Sequence, residues 1–437
     1  MGRILTVAAN NSNRIQGVFA SVNDLARRVN LRGLRLCAPL GALLLPVIAH
    51  AEFVGRAAAS TQFESNSNVF DQAEGLQGRP SASDTYYAYG AELAGVYVFG
   101  RQNLYARAET KQFEYQRFSQ LNHNDYRIVT QFVWKLFNNL DGLIGQTRSH
   151  TMVPFLDLGG DQTGLSISVQ QREVAQFNWK VNSDWRFEGV GNRSSTEQPI
   201  DGAPNLQLVE TAGTGTLKYL GIGRFTSGVS AGYLSGGFSG ATNIQNNTRT
   251  TSPSYHQSHA SWVASFESKR SNFEGEIGYT TRGSSAGSDS TSGLTGLLDF
   301  TYNLTPKTAW RVKVDRAVSS FVLNSGSEVD TDGTVGISWR PSYKLYTTLD
   351  YTYSYRDYPG QGDTPGTNRI DHQQFAIFSL TYQPKRWLLI HPYVNWQVRH
   401  SNFAGRDSDS TVFGISLTLQ TSDTANQNTV PLEIHWH

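Results

Sequence analysis

Leu345-Tyr346-Thr347-Thr348-Leu349-Asp350-Tyr351-Thr352-Tyr353-Ser354-Tyr355-Arg356 alternates along its whole length. Leu345, Thr347, Leu349, Tyr351, Tyr353 and Tyr355 fall on one face of an extended chain; Tyr346, Thr348, Asp350, Thr352, Ser354 and Arg356 fall on the other. Successive side chains of a β-strand point to opposite faces. The run therefore has an aromatic, oily face and a polar face. Its length, about ten residues, is what a tilted strand needs to cross a bilayer.

The same pattern recurs through the chain. Runs are expected near 53–65, 85–99, 103–115, 125–136, 142–152, 168–181, 184–194, 206–220, 224–236, 255–268, 272–282, 292–304, 308–321, 332–340, 345–356, 370–382, 387–400 and 408–420. Tight connections such as Gly100-Arg101-Gln102, Gly221-Ile222-Gly223 and Thr305-Pro306-Lys307 alternate with long ones rich in Gly, Ser, Asn and Asp. These are turn and loop compositions. Short turns at one end and long loops at the other predict an all-β fold, a transmembrane antiparallel up-and-down barrel of about eighteen strands. Both termini then lie at the short-turn, periplasmic end. Register is least determined over 153–175.

Arg27, Arg28, Arg32 and Arg35 precede the apolar run Cys37–Ile48, and Ala49-His50-Ala51 follows. A charged region, a short apolar run and a small-x-small site read as a secretory signal peptide, cleaved before Glu52. The apolar run is too short for a membrane anchor and holds Pro39 and Pro46. Arg35-Leu36 before Cys37 argues against a lipoprotein. Val29-Asn30-Leu31-Arg32 would make an ordinary signal start if Val29 were a valine-coded initiator, and the true start is expected near Val29. The expected organisation is a signal over 1–51, a barrel over 52–420 and a periplasmic tail or short closing strand over 421–437. In that tail Val430, Leu432, Ile434 and Trp436 also alternate, but Pro431 lacks a ladder donor.

The whole chain has 37 Lys+Arg and 36 Asp+Glu; without residues 1–51, which hold six Arg and one Asp, 31 face 35, a net charge of −4. That excludes a basic nucleic-acid binder. The single cysteine, Cys37, leaves with the signal, so thiol chemistry is excluded. Aromatics are 12% of the chain. Phe99, Trp134, Trp179, Trp185, Trp262, Trp310, Trp339, Trp387 and Trp396 are expected to face lipid near the interfaces.

With the apolar face outward, the inward bases are Arg107, Lys111, Arg127, Lys135, Arg148, Arg172, Lys180, Arg186, Arg282, Arg311, Lys313, Arg340, Arg356 and Arg399. The inward acids are Glu109, Glu188, Glu274, Glu276, Asp299, Asp315 and Asp350. An Arg or Lys facing lipid at mid-depth costs ~2–4 kcal/mol, which sends these groups to the interior. Eighteen strands enclose a space wide enough for water. The expected pore lining thus has bases over acids two to one, which favours anions; the same charges also serve as cross-strand braces.

Gln62-Phe63-Glu64-Ser65-Asn66-Ser67-Asn68-Val69-Phe70 resembles the D-S-N-V-F segment that ends the first strand of EpsL-type outer-membrane barrel proteins, which are encoded in exopolysaccharide operons. The usual Asp is absent, and the extension past Gln420 departs from the family's usual aromatic ending. The resemblance extends to signal position, mature length and strand number. It implies an outer-membrane channel that lets a polysaccharide, here expected to be anionic, leave the cell. Outer-membrane lipids and periplasmic polysaccharide-export proteins would be its partners, and the barrel is expected to be a monomer. A solute porin and a surface adhesin are the other functions compatible with such a barrel.

Enzyme motifs are weak. Gly283-Ser284-Ser285-Ala286-Gly287 matches G-x-S-x-G, but a nucleophile elbow needs a helix after it. His256-Gln257-Ser258 and His259-Ala260-Ser261 resemble the His-x-Ser of outer-membrane lipid A deacylases, yet His259 and Ser261 point inward by this phase. The His spacing suits no metal site, and no phosphate loop is present. No catalysis and no cofactor is expected.

Overall fold

The computed structural model describes residues 51–73, 82–155, 163–198, 206–239, 254–284, 290–321, 326–360 and 367–421. The expected signal segment before Ala51, the tail past Thr421 and the centre of the G-x-S-x-G match lie outside them.

Among the described residues the chain forms eighteen strands. They are β1 (Ala51–Asn66), β2 (Asp84–Phe99), β3 (Gln102–Tyr115), β4 (His123–Leu136), β5 (Leu140–Met152), β6 (Ile167–Lys180), β7 (Trp185–Gln198), β8 (Leu206–Ile222) and β9 (Phe225–Ser239). The second half is β10 (Ser254–Glu267), β11 (Ser271–Ser284), β12 (Thr291–Thr305), β13 (Thr308–Phe321), β14 (Gly326–Ser342), β15 (Leu345–Tyr358), β16 (Arg369–Lys385), β17 (Leu388–Ser401) and β18 (Ser408–Gln420). A single 3₁₀ turn, Ser119–Leu121, interrupts them. Neighbours pair antiparallel, and β1 pairs with β18, Asn66 opposite Val412 and Ala58 opposite Gln420. The sheet is a closed barrel, so no edge is left bare.

Several strands are longer than the alternation alone suggests. β7 continues to Gln198 and β14 begins at Gly326. Ser194-Ser195-Thr196-Glu197-Gln198 is polar on both faces, as a ladder that has left the lipid band can be. Closure is made by β18 with β1.

The tight turns β2–β3 and β8–β9 place Gly100 and Gly223 at φ +63° and +62°, where a glycine has no Cβ to clash. Phe137, between β4 and β5, takes φ +59° without that freedom.

One face of the sheet is mainly apolar. It exposes Val229, Leu294, Val335, Leu349 and Phe413, with Trp310 at 54% and Trp262 at 48%. Trp179, Trp185, Trp310, Trp339 and Trp387 stand near the short-turn end; Tyr87, Tyr89, Tyr233, Tyr279, Tyr351 and Tyr353 stand toward the long-loop end. Indole and phenol rings belong at a membrane interface because an apolar ring carries a polar edge.

The other face is concave. Tyr393 on β17 donates its hydroxyl to Glu64 on β1, over the intervening β18. Tyr255 on β10 reaches Glu210 on β8, over β9. Such contacts over a strand are available only where side chains converge.

Candidate functional site

Directly paired residues share a face, so the register assigns the inner wall. Arg107, Glu109 and Lys111 lie inward on β3, opposite Val129, Arg127 and Asp125 of β4; Lys135 follows on the same face. Arg172 and Lys180 of β6 are inward, with Lys180 opposite Arg186 of β7 and Glu188 two residues on. Glu274 and Glu276 of β11 pair with Asp299 and Leu297 of β12. Arg282 of β11, Arg311, Lys313 and Asp315 of β13, Asp350 and Arg356 of β15, and Arg399 of β17 lie on this face as well, and Arg340 at the end of β14 stacks over the ring of Tyr346.

Arg148 does not join them. It pairs with Ile128 and shares its face with Ile144, which is 51% exposed on the apolar side. The alternation of β5 is ambiguous, because Leu143 and Ile144 offer an apolar residue to each face. Leu143 takes the interior and is 1% exposed. Arg148 therefore lies on the outer face, eight residues from the short-turn end of its strand, a depth at which its guanidinium can reach the headgroups.

The inward bases are mostly compensated. Arg107 contacts Glu92 at 2.9 Å and Glu109 at 2.6 Å, and Arg56 also pairs with Glu92. Glu188 holds Arg186 at 2.7 Å and Lys218 at 2.8 Å. Arg311 forks onto Asp299, its Nε at 3.0 Å. Lys313 lies 3.6 Å from Asp315, and Arg356 lies 3.4 Å from Asp330.

Glu64, Glu92, Asp125, Asp141, Glu210, Asp330, Asp332 and Asp371 also occupy inward register positions. Several of these carboxylates sit on weakly amphipathic strands, but Asp125 stands two residues from Arg127 on β4 and shares its phase. Strand parity alone, carried through each whole ladder, would have found them. They cancel the expected two-to-one excess of bases.

The long-loop end narrows inward. The 67–73 segment, a strap after β1, turns over the concave face of β2–β5. Val69 and Phe70 are buried with Tyr115, Leu121, Val153 and Phe155. Phe70 meets Phe118 and Phe155 edge-on, ring centroids 4.7 and 4.9 Å apart. Asn68 is the hinge pin of the strap. Its amide donates to the carbonyls of Gln72 and Asp409, both at 2.9 Å, and its side-chain oxygen accepts from the Gln72 N–H at 3.2 Å. Asp71 takes φ +47°, a left-handed conformation that Asp tolerates.

On the far side of the mouth the contacts are polar. Arg369 forks onto Asp371 beneath the Tyr358 ring, 4.1 Å from its centroid. Arg399 donates to the Arg406 carbonyl and, at 3.4 Å, to the Asp71 carbonyl of the strap. Burial, with Arg369 and Arg399 nearby, pushes the Arg406 guanidinium of the β17–β18 loop down to about 10. A third contact crosses the mouth elsewhere. Ser320, ending β13, bonds Tyr255 at 2.6 Å, Glu210 at 2.9 Å and Arg282 at 3.0 Å.

Ser261 donates to Glu276 at 2.6 Å, so its hydroxyl serves a wall carboxylate. Among the described residues no three His, Cys, Asp or Glu side chains converge to hold a metal ion.

Residues 264–421, from the end of β10 through β18, match the model of a family described as "Putative beta-barrel porin 2". The described residues of the chain form a closed, eighteen-stranded antiparallel β-barrel. The match covers less than half of it. No curated protein matches. Among solved structures, the barrel is similar to the FrpB iron transporter of Neisseria meningitidis, with 7% identity, TM-score 0.49, and 84% of this chain and 81% of that one covered. It is similar to the ferric enterobactin receptor PfeA of Pseudomonas aeruginosa, with 9% identity, TM-score 0.47 and coverages of 84% and 81%. It is also similar to OccK5 (OpdH) of the same organism, with 12% identity, TM-score 0.44 and coverages of 84% and 98%. What those proteins bind stays with them.

Proposed function

We propose that this barrel is the outer-membrane channel through which an exopolysaccharide leaves the cell. The observation that carries the reading is the position of Ser65-Asn66-Ser67-Asn68-Val69-Phe70. The stretch that resembles EpsL-type proteins is also the stretch that seats the strap at the mouth, through Asn68, Val69 and Phe70. A strap there constrains what passes. Below it, paired charges and amides offer a growing chain hydrogen bonds without a deep electrostatic trap. Binding that is weak and spread over many sites allows conduction.

Transport is passive, driven by synthesis and by periplasmic partners at the short-turn end. The balanced wall removes the basis for expecting an anionic polymer in particular. Deleting the gene should abolish surface polysaccharide while intracellular synthesis continues; unchanged surface polysaccharide would exclude the proposal.

A solute porin is the second reading, favoured by the match of residues 264–421 to a porin-family model. High conductance in planar bilayers, with no block by any oligosaccharide, would select it.

A further inference from the structure

The outer face of the barrel departs from its apolar pattern on β6–β9, and the register lays out how. One row across these strands holds Phe177, Gly189, Gly215 and Ala231. The next row toward the long loops holds Ala175, Gly191, Gly213 and Tyr233. The row above that holds Glu173, Arg193, Thr211 and Ser235. Small residues make a floor, and opposite charges stand side by side just above it, one step past a girdle tyrosine.

The floor is open. Trp134, Ile144, Phe177 and Phe187 wall a groove of about 560 Å³ over Gly191 and Gly213. Glycine inside a strand weakens it and often marks a place where another backbone comes close. Some outward glycines are explained within the barrel. A Cβ on Gly142 would lie 2.3 Å from the Trp134 ring, and one on Gly189 would lie 2.3 Å from the Phe177 ring. Gly191 and Gly213 are different. They pair directly, neither takes a positive φ, and a Cβ on either would meet only a carbonyl oxygen, at 3.9 and 4.0 Å. The wall has room there for larger side chains, so its own packing does not call for glycine.

Glu173 and Arg193 are both exposed, and Gln171 donates to Glu173 at 2.9 Å. Charge on a lipid-facing wall is costly. Other outward charges are spared that cost. Arg316 on β13 donates to the Leu294 carbonyl at 3.1 Å and to the Thr331 hydroxyl at 2.6 Å. Glu114, Glu197, Asp357 and Asp409 stand one residue from the long-loop end of their strands.

Two opposite charges side by side in one row are self-complementary. A two-fold axis along the membrane normal, passing between β6 and β7, sets Glu173 of one copy against Arg193 of the other, and the reverse pair forms with it. Closed dimers use such isologous faces. The same rotation lays groove on groove, where Gly191 and Gly213 let two convex walls approach; small residues serve that purpose between membrane helices. Arg148, one row higher on β5, stands clear of the axis.

We infer that the outer face of β6–β9 is the interface of a homodimer, held by two reciprocal Glu173–Arg193 pairs over a glycine floor. A dimer replaces the monomer expected from the sequence. The inference goes beyond the export reading: it needs the lipid-facing assignment of this wall and is independent of the cargo.

The test is particle mass by light scattering, on protein taken from membranes directly into lipid nanodiscs. Wild-type particles should hold two copies. Glu173→Arg and Arg193→Glu should each raise the dissociation constant at least about tenfold, because like charges then meet twice. The double reversal Glu173→Arg/Arg193→Glu should restore the dimer. Gly191→Trp should give folded monomers, judged by heat-modifiable mobility. Gly333→Trp, at an open outward glycine of β14, should leave the dimer intact. Should Gly191→Trp fail to fold, the charge series at exposed positions decides alone. Single copies in wild type would overturn the inference, as would a dimer that survives Gly191→Trp. Equal loss in both Trp variants, or no rescue by the double reversal, would also overturn it. A wild-type monomer carrying a phosphorylated lipid that Arg193→Glu releases would assign the face to a lipid headgroup instead.

Discussion

On its β2–β5 side the strap is held by rings and aliphatic side chains; on its β14–β18 side it is held by amides, guanidinia and carbonyls. Phe70 sits among Phe118, Phe155, Tyr115 and Leu121. A few residues away, Asn68 and Asp71 answer to Asp409 and Arg399. Apolar packing has few alternatives once formed, since its free energy comes from area removed from water and is lost together. A polar seat can exchange partners with water or with a passing hydroxyl at little net cost. The first side is the anchor of the mouth, and the second is the side that adapts to cargo.

Breaking the anchor should give the largest effect. Phe70→Ala removes a ring from a closed cluster, a change that costs ~3–5 kcal/mol in a core. The expected outcome is a freed strap, read as protease cleavage within 67–73 and a rise in single-channel conductance. Conductance unchanged in a strap-cleaved channel would mean that the anchor does not narrow the path.

Next comes the polar side. Arg369→Gln leaves Asp371, which is 0% exposed, without its forked partner. Losing one member of a buried pair costs ~3–5 kcal/mol, and the damage should be local. Hydrogen exchange should rise at the mouth end of β16 and β17, while Phe70 stays protected. If protection is lost equally at Phe70, the two sides are one cooperative unit and the contrast fails.

Asn68→Ala tests the join between them. It removes two donated bonds and one accepted bond at partly buried sites, for ~1–2 kcal/mol. More frequent brief openings of the channel are expected, without full release; recordings no noisier than wild type would argue against a join.

The smallest structural effect is expected at Arg311, whose side chain is 51% exposed beside Asp299. Screening holds such a pair to under ~1 kcal/mol. Its electrical effect should be clear, however. Arg107→Gln, Arg186→Gln and Arg311→Gln together remove three inward positive charges and leave Glu92 to Arg56 and Glu188 to Lys218, so the reversal potential should move toward cation preference. A wild-type channel already strongly anion-selective would show that the inward acids are not ionised as paired here.

The barrel itself was legible in the sequence because lipid imposes alternation. Leu345–Arg356 shows it at full strength, and the turns confirm the period. Legibility faded where lipid no longer acts. Ser194–Gln198 and the start of β14 stand beyond the apolar band, so nothing in their side chains marks them as strand. β5 failed differently: Leu143 and Ile144 sit on opposite faces, and only the neighbouring ladders decide that Arg148 faces out. The balance of charge on the wall was missed for a related reason. Phase was taken from the oily strands, while Glu92, Asp332 and Asp371 sit on runs with a fainter pattern. The resemblance marked Gln62–Phe70 as the end of the first strand and not as a strap, and its seat was not legible, since Phe118, Phe155 and Asp409 are brought to it only by the fold.

Closure also sets the order of events in making the molecule. The ladder of Asn66 with Val412 joins the first strand to the last, so it is the least local pairing in the chain. Loop-closure entropy opposes such a contact until the intervening strands have shortened the gap. Until then β1 and β18 are both open edges, each able to recruit a foreign strand. A chain stopped before Ser408 would keep those edges permanently and would also lose the Asp409 carbonyl on which Asn68 hangs. Completion of the wall and seating of the strap are thus one kinetic step, and a barrel cannot acquire its narrowed mouth before it has become a barrel.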